Sequence, residues 1–200
     1  MTATGPSLRD RNRARVRAEI VGAARRLFLQ QGYAATSVEQ VAEAAGVSPR
    51  TVFRHFPRKE DLVFHRHAEE VGRFRRLLGE QPPDRPALDA LLDALLGLLQ
   101  LERDAAEPDG GQLLELLDRE PELARRDELL IADHHAAVLA FLRGRLGDDG
   151  PSIQRAELLA GCFMGAVQAA RRLVLVQPET PPREHLAAAI ALLRALDWPD

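Results

Sequence analysis

Apolar positions recur along this chain at three- and four-residue intervals, the period of an α-helix buried along one face. Val16, Ile20, Ala24, Leu27 and Phe28 form one such stripe and predict a first helix from about Arg11 to Gln31, stopped by Gly32-Tyr33. Thr36-Ser37-Val38-Glu39 sets a hydroxyl three residues before a glutamate, the spacing of a capping box, and opens a short helix over Val38 to Ala45. Gly46 ends it, because glycine takes a left-handed conformation without a Cβ penalty. Ser48-Pro49 then starts a third helix, to about Phe56: serine caps free amides, and proline is tolerated where no N–H partner exists. Val47, Val52 and Phe56 are expected to meet Val41, Leu27 and Ile20 in a three-helix core.

A long helix is predicted from about Lys59 to Gly79, broken by Gln81-Pro82-Pro83-Asp84. Further helices fall near 85–103, 110–118, 122–147, 152–177 and 182–196. They are separated by proline- and glycine-bearing breaks such as Glu107-Pro108-Asp109-Gly110-Gly111 and Gly147-Asp148-Asp149-Gly150-Pro151. No alternating strand pattern and no internal repeat is visible, so the expected fold is all-α.

Composition agrees with that expectation. The 200 residues are 46% hydrophobic but only 4% aromatic, dominated by Leu and Ala, which favour helix. No apolar run is read as approaching a membrane span, and the charged N-terminus lacks the apolar core of a secretory signal. Cys162 is the only cysteine, which excludes an internal disulfide and a multi-cysteine metal site. A soluble cytoplasmic protein, off the membrane and without a cofactor, is the expectation.

The net charge of −3 conceals an asymmetry. Residues 1–66 carry 12 Arg and Lys against 6 Asp and Glu, a balance of +6, while the remainder carries 15 against 24, a balance of −9. A basic head on an acidic body is the electrostatic outline of a nucleic-acid-binding module joined to a part that avoids nucleic acid.

Two short helices around a glycine turn, the second basic, are the layout of a helix-turn-helix, whose second helix enters the DNA major groove. The run T-S-V-x-x-V-A-x-x-A-G-V-S-x-x-T-V-F-x-H-F-x-x-K-x-x-L, set between a first helix and a long fourth one, resembles the TetR family of bacterial transcriptional regulators. The resemblance covers residues 11–64. It implies a helix-turn-helix DNA-binding domain over residues 1–58 and a larger helical effector-binding and dimerisation domain over 59–200. It also implies a homodimer on a near-palindromic double-stranded operator, usually a repressor, released by a small-molecule effector.

Residue roles follow from position within that motif. Pro49, Arg50 and Arg54 are expected on the exposed face of the recognition helix, where Arg50 or Arg54 can bond guanine O6 and N7; a solvated surface charge is the alternative for each. Thr36, Ser37, Thr51, His55 and Lys59 are expected at phosphates, with Thr36 alternatively only a cap. At Phe53 the family often has tyrosine, whose hydroxyl helps hold phosphate; here Phe53 is left to pack or to touch sugar. The leading arginines Arg9, Arg11, Arg13, Arg15 and Arg17 alternate by two and spread around a helix surface; they read either as a flexible arm on phosphate or in the minor groove or, for Arg9 to Arg13, as a solvated, partly disordered leader.

In the acidic body, an apolar pocket is expected to draw on Phe74, Leu78, Leu117, His134, Val138, Phe141, Phe163, Met164, Val167, Gln168 and Arg171, each alternatively a core or surface residue. Arg171-Arg172 interrupts an apolar helix, and one of the two is read as meeting either an anionic ligand group or a dimer-interface carboxylate. The segment 113–146 is loosely similar to TetR-type regulators associated with mycofactocin clusters, which implies a hydrophobic, acyl-CoA-like effector. Gly161, Gly165, Ala166 and Ala169 permit close helix approach, so the last two helices are the expected dimer interface, a four-helix bundle. Asp133-His134-His135 does not make a metal site unaided, since adjacent helical residues point about 100° apart. An enzyme is disfavoured by the lack of a phosphate-binding glycine loop, a metal-ligand set and a nucleophile motif. An effector-independent architectural DNA-binding protein is the remaining alternative.

Overall fold

The computed structural model describes residues 7–104 and 110–195, and side chains outside 101–114 within that range. Part of the expected break, residues 107–109, therefore lies outside the described residues. The described residues are helical, with no strand among them, and divide into two compact units, Met1–Arg66 and His67–Asp200. The division falls after Arg66, whereas the sequence placed the domain boundary after Arg58.

The first unit holds α1 (Leu8–Gln31), α2 (Val38–Ala44), α3 (Pro49–His55) and a single 3-10 turn at Glu60–Leu62. Its core is Ile20, Ala23, Ala24 and Phe28 from α1, Tyr33, Val41 and Ala42, Val52 from α3, then Phe56 and Leu62. Each large apolar side chain removed from water here contributes on the order of 1.5–3 kcal/mol, which fixes helices too short to be stable alone. Helix α1 starts earlier than the sequence suggested. Ser7 caps it, accepting from the Asp10 amide at 3.2 Å while the Asp10 carboxylate accepts back from Ser7. Arg9, Arg11 and Arg13 are thus helical and exposed, not a flexible leader.

The second unit comprises α4 (His67–Gly79), α5 (Ala87–Asp104), α6 (Gly110–Arg119), α7 (Pro121–Leu146), α8 (Gly150–Val176) and α9 (Pro182–Ala195). Helix α8 packs on α7 and α9, and α4 on α5 and α7. Phe74, Leu78, Leu91, Leu98, Val138, Leu142, Phe163, Leu186 and Ile190 fill one core. The predicted helix over 59–79 is not continuous. The Arg58 amide donates to Asp61 at 2.9 Å, and the His65 carbonyl receives Arg17 at 2.8 Å, so the chain turns before α4 begins. One composition reading is corrected as well. By length and mean hydropathy, 1.4 over its most apolar window, α8 is apolar enough to cross a membrane. Ala156, Ala160, Phe163 and Ala170 of the same helix are buried in the core of this unit.

Candidate nucleic-acid interface

The α2–turn–α3 segment is specified by caps at both starts and a glycine between. Ser37, not Thr36, is the cap of α2: its hydroxyl accepts from the Gln40 amide at 3.1 Å, and the Gln40 side chain accepts from the Ser37 amide at 2.8 Å. The capping box is therefore Ser37–Gln40, one residue later than Thr36–Glu39. Gly46 sits at φ +65, the left-handed region expected of it. Ser48 caps α3, accepting from the Thr51 amide at 3.2 Å and lying 3.0 Å from the Thr51 hydroxyl.

Val52 and Phe56 point into the core and thereby turn the opposite face of α3 outward. Pro49, Arg50, Phe53 and Arg54 are exposed on that face, Phe53 to 45%; Thr51 and His55 are half-buried at its edges. Ser37 is half-buried at the start of α2.

Two of the residues expected at phosphates have side-chain partners within the chain. Thr36 is 2% exposed, and its hydroxyl donates to the Gly32 carbonyl at 2.7 Å while accepting from Gln31 at 3.2 Å. It locks the α1–α2 connection, with its hydroxyl engaged inside the chain. Lys59 is held inward, its ammonium donating to the Tyr33 carbonyl and lying 4.0 Å from the centre of the Tyr33 ring. Arg17, read from the sequence only as one of the leading arginines, has a structural role that reading did not include. Its guanidinium donates to the His55 carbonyl at 3.5 Å and to His65, and lies 4.3 Å from the Phe56 ring centre. The available signal was an arginine beside Val16 and Ile20 on the apolar side of α1.

The expected effector residues are brought only partly together. Phe74, Leu78, Val138 and Phe163 are buried in the common core, with Phe141, Met164 and Val167 packed against it. Leu117 is buried outside that cluster, and Gln168 is half-buried. Phe141 carries the Arg145 guanidinium at 4.6 Å. Arg171 pairs within its own chain, to Asp127 at 2.8 Å. His134 of α7 stands edge-on to His67 at 5.5 Å between ring centres and 5.9 Å from Phe74, while His67 bonds Asp133 at 2.7 Å. Burial pushes the His134 imidazole below its usual range, and His67 adds to the shift. Among the described residues no group of three or more His, Cys, Asp or Glu is placed to hold a metal ion.

A capped, core-anchored helix presenting two arginines and an apolar ring is suited to a groove lined with acceptors and methyl groups. Comparisons with known proteins agree with that chemistry. The family model "Bacterial regulatory proteins, tetR family" matches residues 20–65. The chain is 37% identical to the HTH-type transcriptional regulator TcmR of Streptomyces glaucescens, over 98% of this chain and 88% of that one. It is 31% identical to the HTH-type transcriptional repressor AcnR of Corynebacterium glutamicum over 42% and 40% of the two chains. Two solved structures share the fold. SmeT in complex with triclosan superposes with a TM-score of 0.67 over 90% of both chains at 19% identity. Thermus thermophilus FadR in complex with lauroyl-CoA superposes with a TM-score of 0.54 over 92% and 96% at 24% identity. The chain belongs to the TetR family of bacterial regulatory proteins and is a helix-turn-helix, DNA-binding transcriptional regulator, not an enzyme.

Proposed function

We propose that this regulator is a homodimeric repressor which binds a near-palindromic operator through α3 and is released by a small, hydrophobic or acyl-CoA-like effector. The observation that carries the DNA half is the outward face of α3. Pro49, Arg50, Phe53 and Arg54 form one surface because Val52 and Phe56 are locked inside. Arg50 and Arg54 read bases, while Ser37, Thr51 and His55 set the register at phosphates. One short helix reads few base pairs, so two-fold symmetry supplies the remaining affinity.

The effector half is supported by kinship of fold. FadR carries lauroyl-CoA and SmeT carries triclosan. The second unit offers Phe74, Leu78, Phe141, Phe163, Met164 and Val167 as apolar groups, with His134, Gln168 and Arg171 as polar ones. Leu117 and Val138 complete that set.

Gel-shift with DNA flanking the chain's own gene, and with a random duplex pool, tests the first half. Arg54→Ala is expected to relax preference at one base position, a loss of about 1–3 kcal/mol of discrimination. A selected sequence unchanged by both Arg50→Ala and Arg54→Ala would remove α3 as the reader. A thermal-shift screen with acyl-CoAs, fatty acids and apolar drugs tests the second half: ligands that raise Tm must also weaken operator binding.

A further inference from the structure

The end of the recognition helix and the exposed half of α1 bring four cationic or protonatable side chains to one place. Arg17 sets the register, because it bonds the His55 carbonyl and lies over Phe56. Arg13 precedes it by one helical turn and so shares its face of α1. Arg54 and His55 are the basic residues in the last turn of α3. Arg13 and Arg54 make no hydrogen bond or ion pair among the described residues, and no carboxylate acts on the His55 ring. Arg13 and Arg54, with no such partner, repel a protonated His55 until an anion joins them. The anion a DNA reader meets at the end of its recognition helix is a backbone phosphate.

We propose that Arg13, Arg17 and His55 form one seat for an operator phosphate, with Arg54 beside it directed to a base, and that filling the seat takes up a proton on His55, so operator binding tightens as pH falls. The proposal rests on α3 being the DNA reader. The free chain is primed for it. Burial pushes the His55 imidazole below its usual range, and Arg54 on α3 with Arg13 and Arg17 on α1 push it further the same way. The neutral ring is therefore the resting form at pH 7. A phosphate cancels the repulsion and accepts from the imidazolium, which raises the bound-state value. Affinity rises as pH falls through the bound-state value and levels off below the free one. Arg11 and Arg15 do not complete the seat. The i and i+4 spacing puts Arg13, not these, on the Arg17 face, and Arg15 pairs with Glu19.

The test uses the full-length chain and a duplex it selects from a random pool, with Kd measured from pH 5.5 to 8 at fixed salt. Wild type is expected to gain up to about tenfold per half-site for each pH unit lost within the responsive window. H55Q is expected to bind with a flat profile. R13Q, on an exposed helix face, is expected to lower the slope of log K against log salt by about one per half-site. R13Q should also move the pH response upward, because the free imidazole loses a repelling neighbour. A flat wild-type profile with intact binding overturns the proposal, as does an H55Q slope equal to that of wild type. Should H55Q fail to fold, an R13Q protein with unchanged salt slope and unchanged pH window overturns it alone. Absence of any salt-sensitive, selective binding at every pH is a different result and sinks the α3 reading along with the seat.

Discussion

Thr36 and Ser37 show how one residue decides between structure and contact. Both are hydroxyls ahead of α2, yet Ser37 caps the helix while Thr36 is sealed between Gly32 and Gln31. Thr36→Val keeps the shape and removes the hydroxyl, so the Gly32 carbonyl loses its donor in a buried place. A loss of about 1–3 kcal/mol is expected, read as a lower denaturation midpoint with the selected operator sequence unchanged. A change of operator preference without a loss of stability would return Thr36 to the interface. The two roles were not separable in the sequence. Thr36–Glu39 and Ser37–Gln40 both satisfy the capping spacing, and only the depth of the Tyr33 loop, which no local pattern encodes, chooses between them.

At the scale of elements, legibility tracked local chemistry. Serine, proline and glycine mark the ends of α2 and α3 by mechanisms confined to four residues, and those ends fall within a residue of the sequence reading, the cap of α2 being Ser37 where Thr36 was expected. The break before α4 was not anticipated, since beside the local Arg58–Asp61 bond it involves Arg17, which occupies the His65 carbonyl from 48 residues away. The α4–α7 junction has the same non-local character and yields a pH prediction. His134 packs against Phe74 and His67, with Asp133 and Arg171 also acting on it, and burial holds it neutral in the folded state. Its folded value lies below the unfolded one of about 6.5, so the unfolded chain takes the proton first as pH falls. Stability is then full above about pH 6.5 and is lost as pH falls from there toward the folded value. The Asp133 carboxyl, held low chiefly by its bond from His67, titrates well below that window. His134→Phe should flatten the fall of Tm between pH 7.5 and 5; an acid-side slope identical to that of wild type would show that His134 does not titrate on unfolding.

For the whole molecule, the decisive feature is the surface of α8 and α9 left uncovered in a single chain. Leu158 is 58% exposed and Leu192 71%, with Leu173 and Val176 also exposed, and Gly161 and Gly165 lie open between the larger side chains. A soluble chain rarely leaves an apolar face of this kind to water, and glycines within it permit helices to approach closely. In the homodimer proposed above, two copies related by a two-fold axis would cover it as a four-helix bundle, and that would account for a helix this apolar having so little of its length buried within one chain. Gly165→Arg places a long charged side chain where nothing lies within 4 Å in the single chain, so the fold tolerates it while the pairing does not. Sedimentation is expected to report a folded monomer. Operator affinity should fall by orders of magnitude, because a monomer keeps one recognition helix and loses the gain from binding two half-sites together. Unchanged sedimentation together with unchanged operator affinity would place the dimer interface elsewhere. A folded monomer that still bound the operator at full strength would show instead that one α3 suffices.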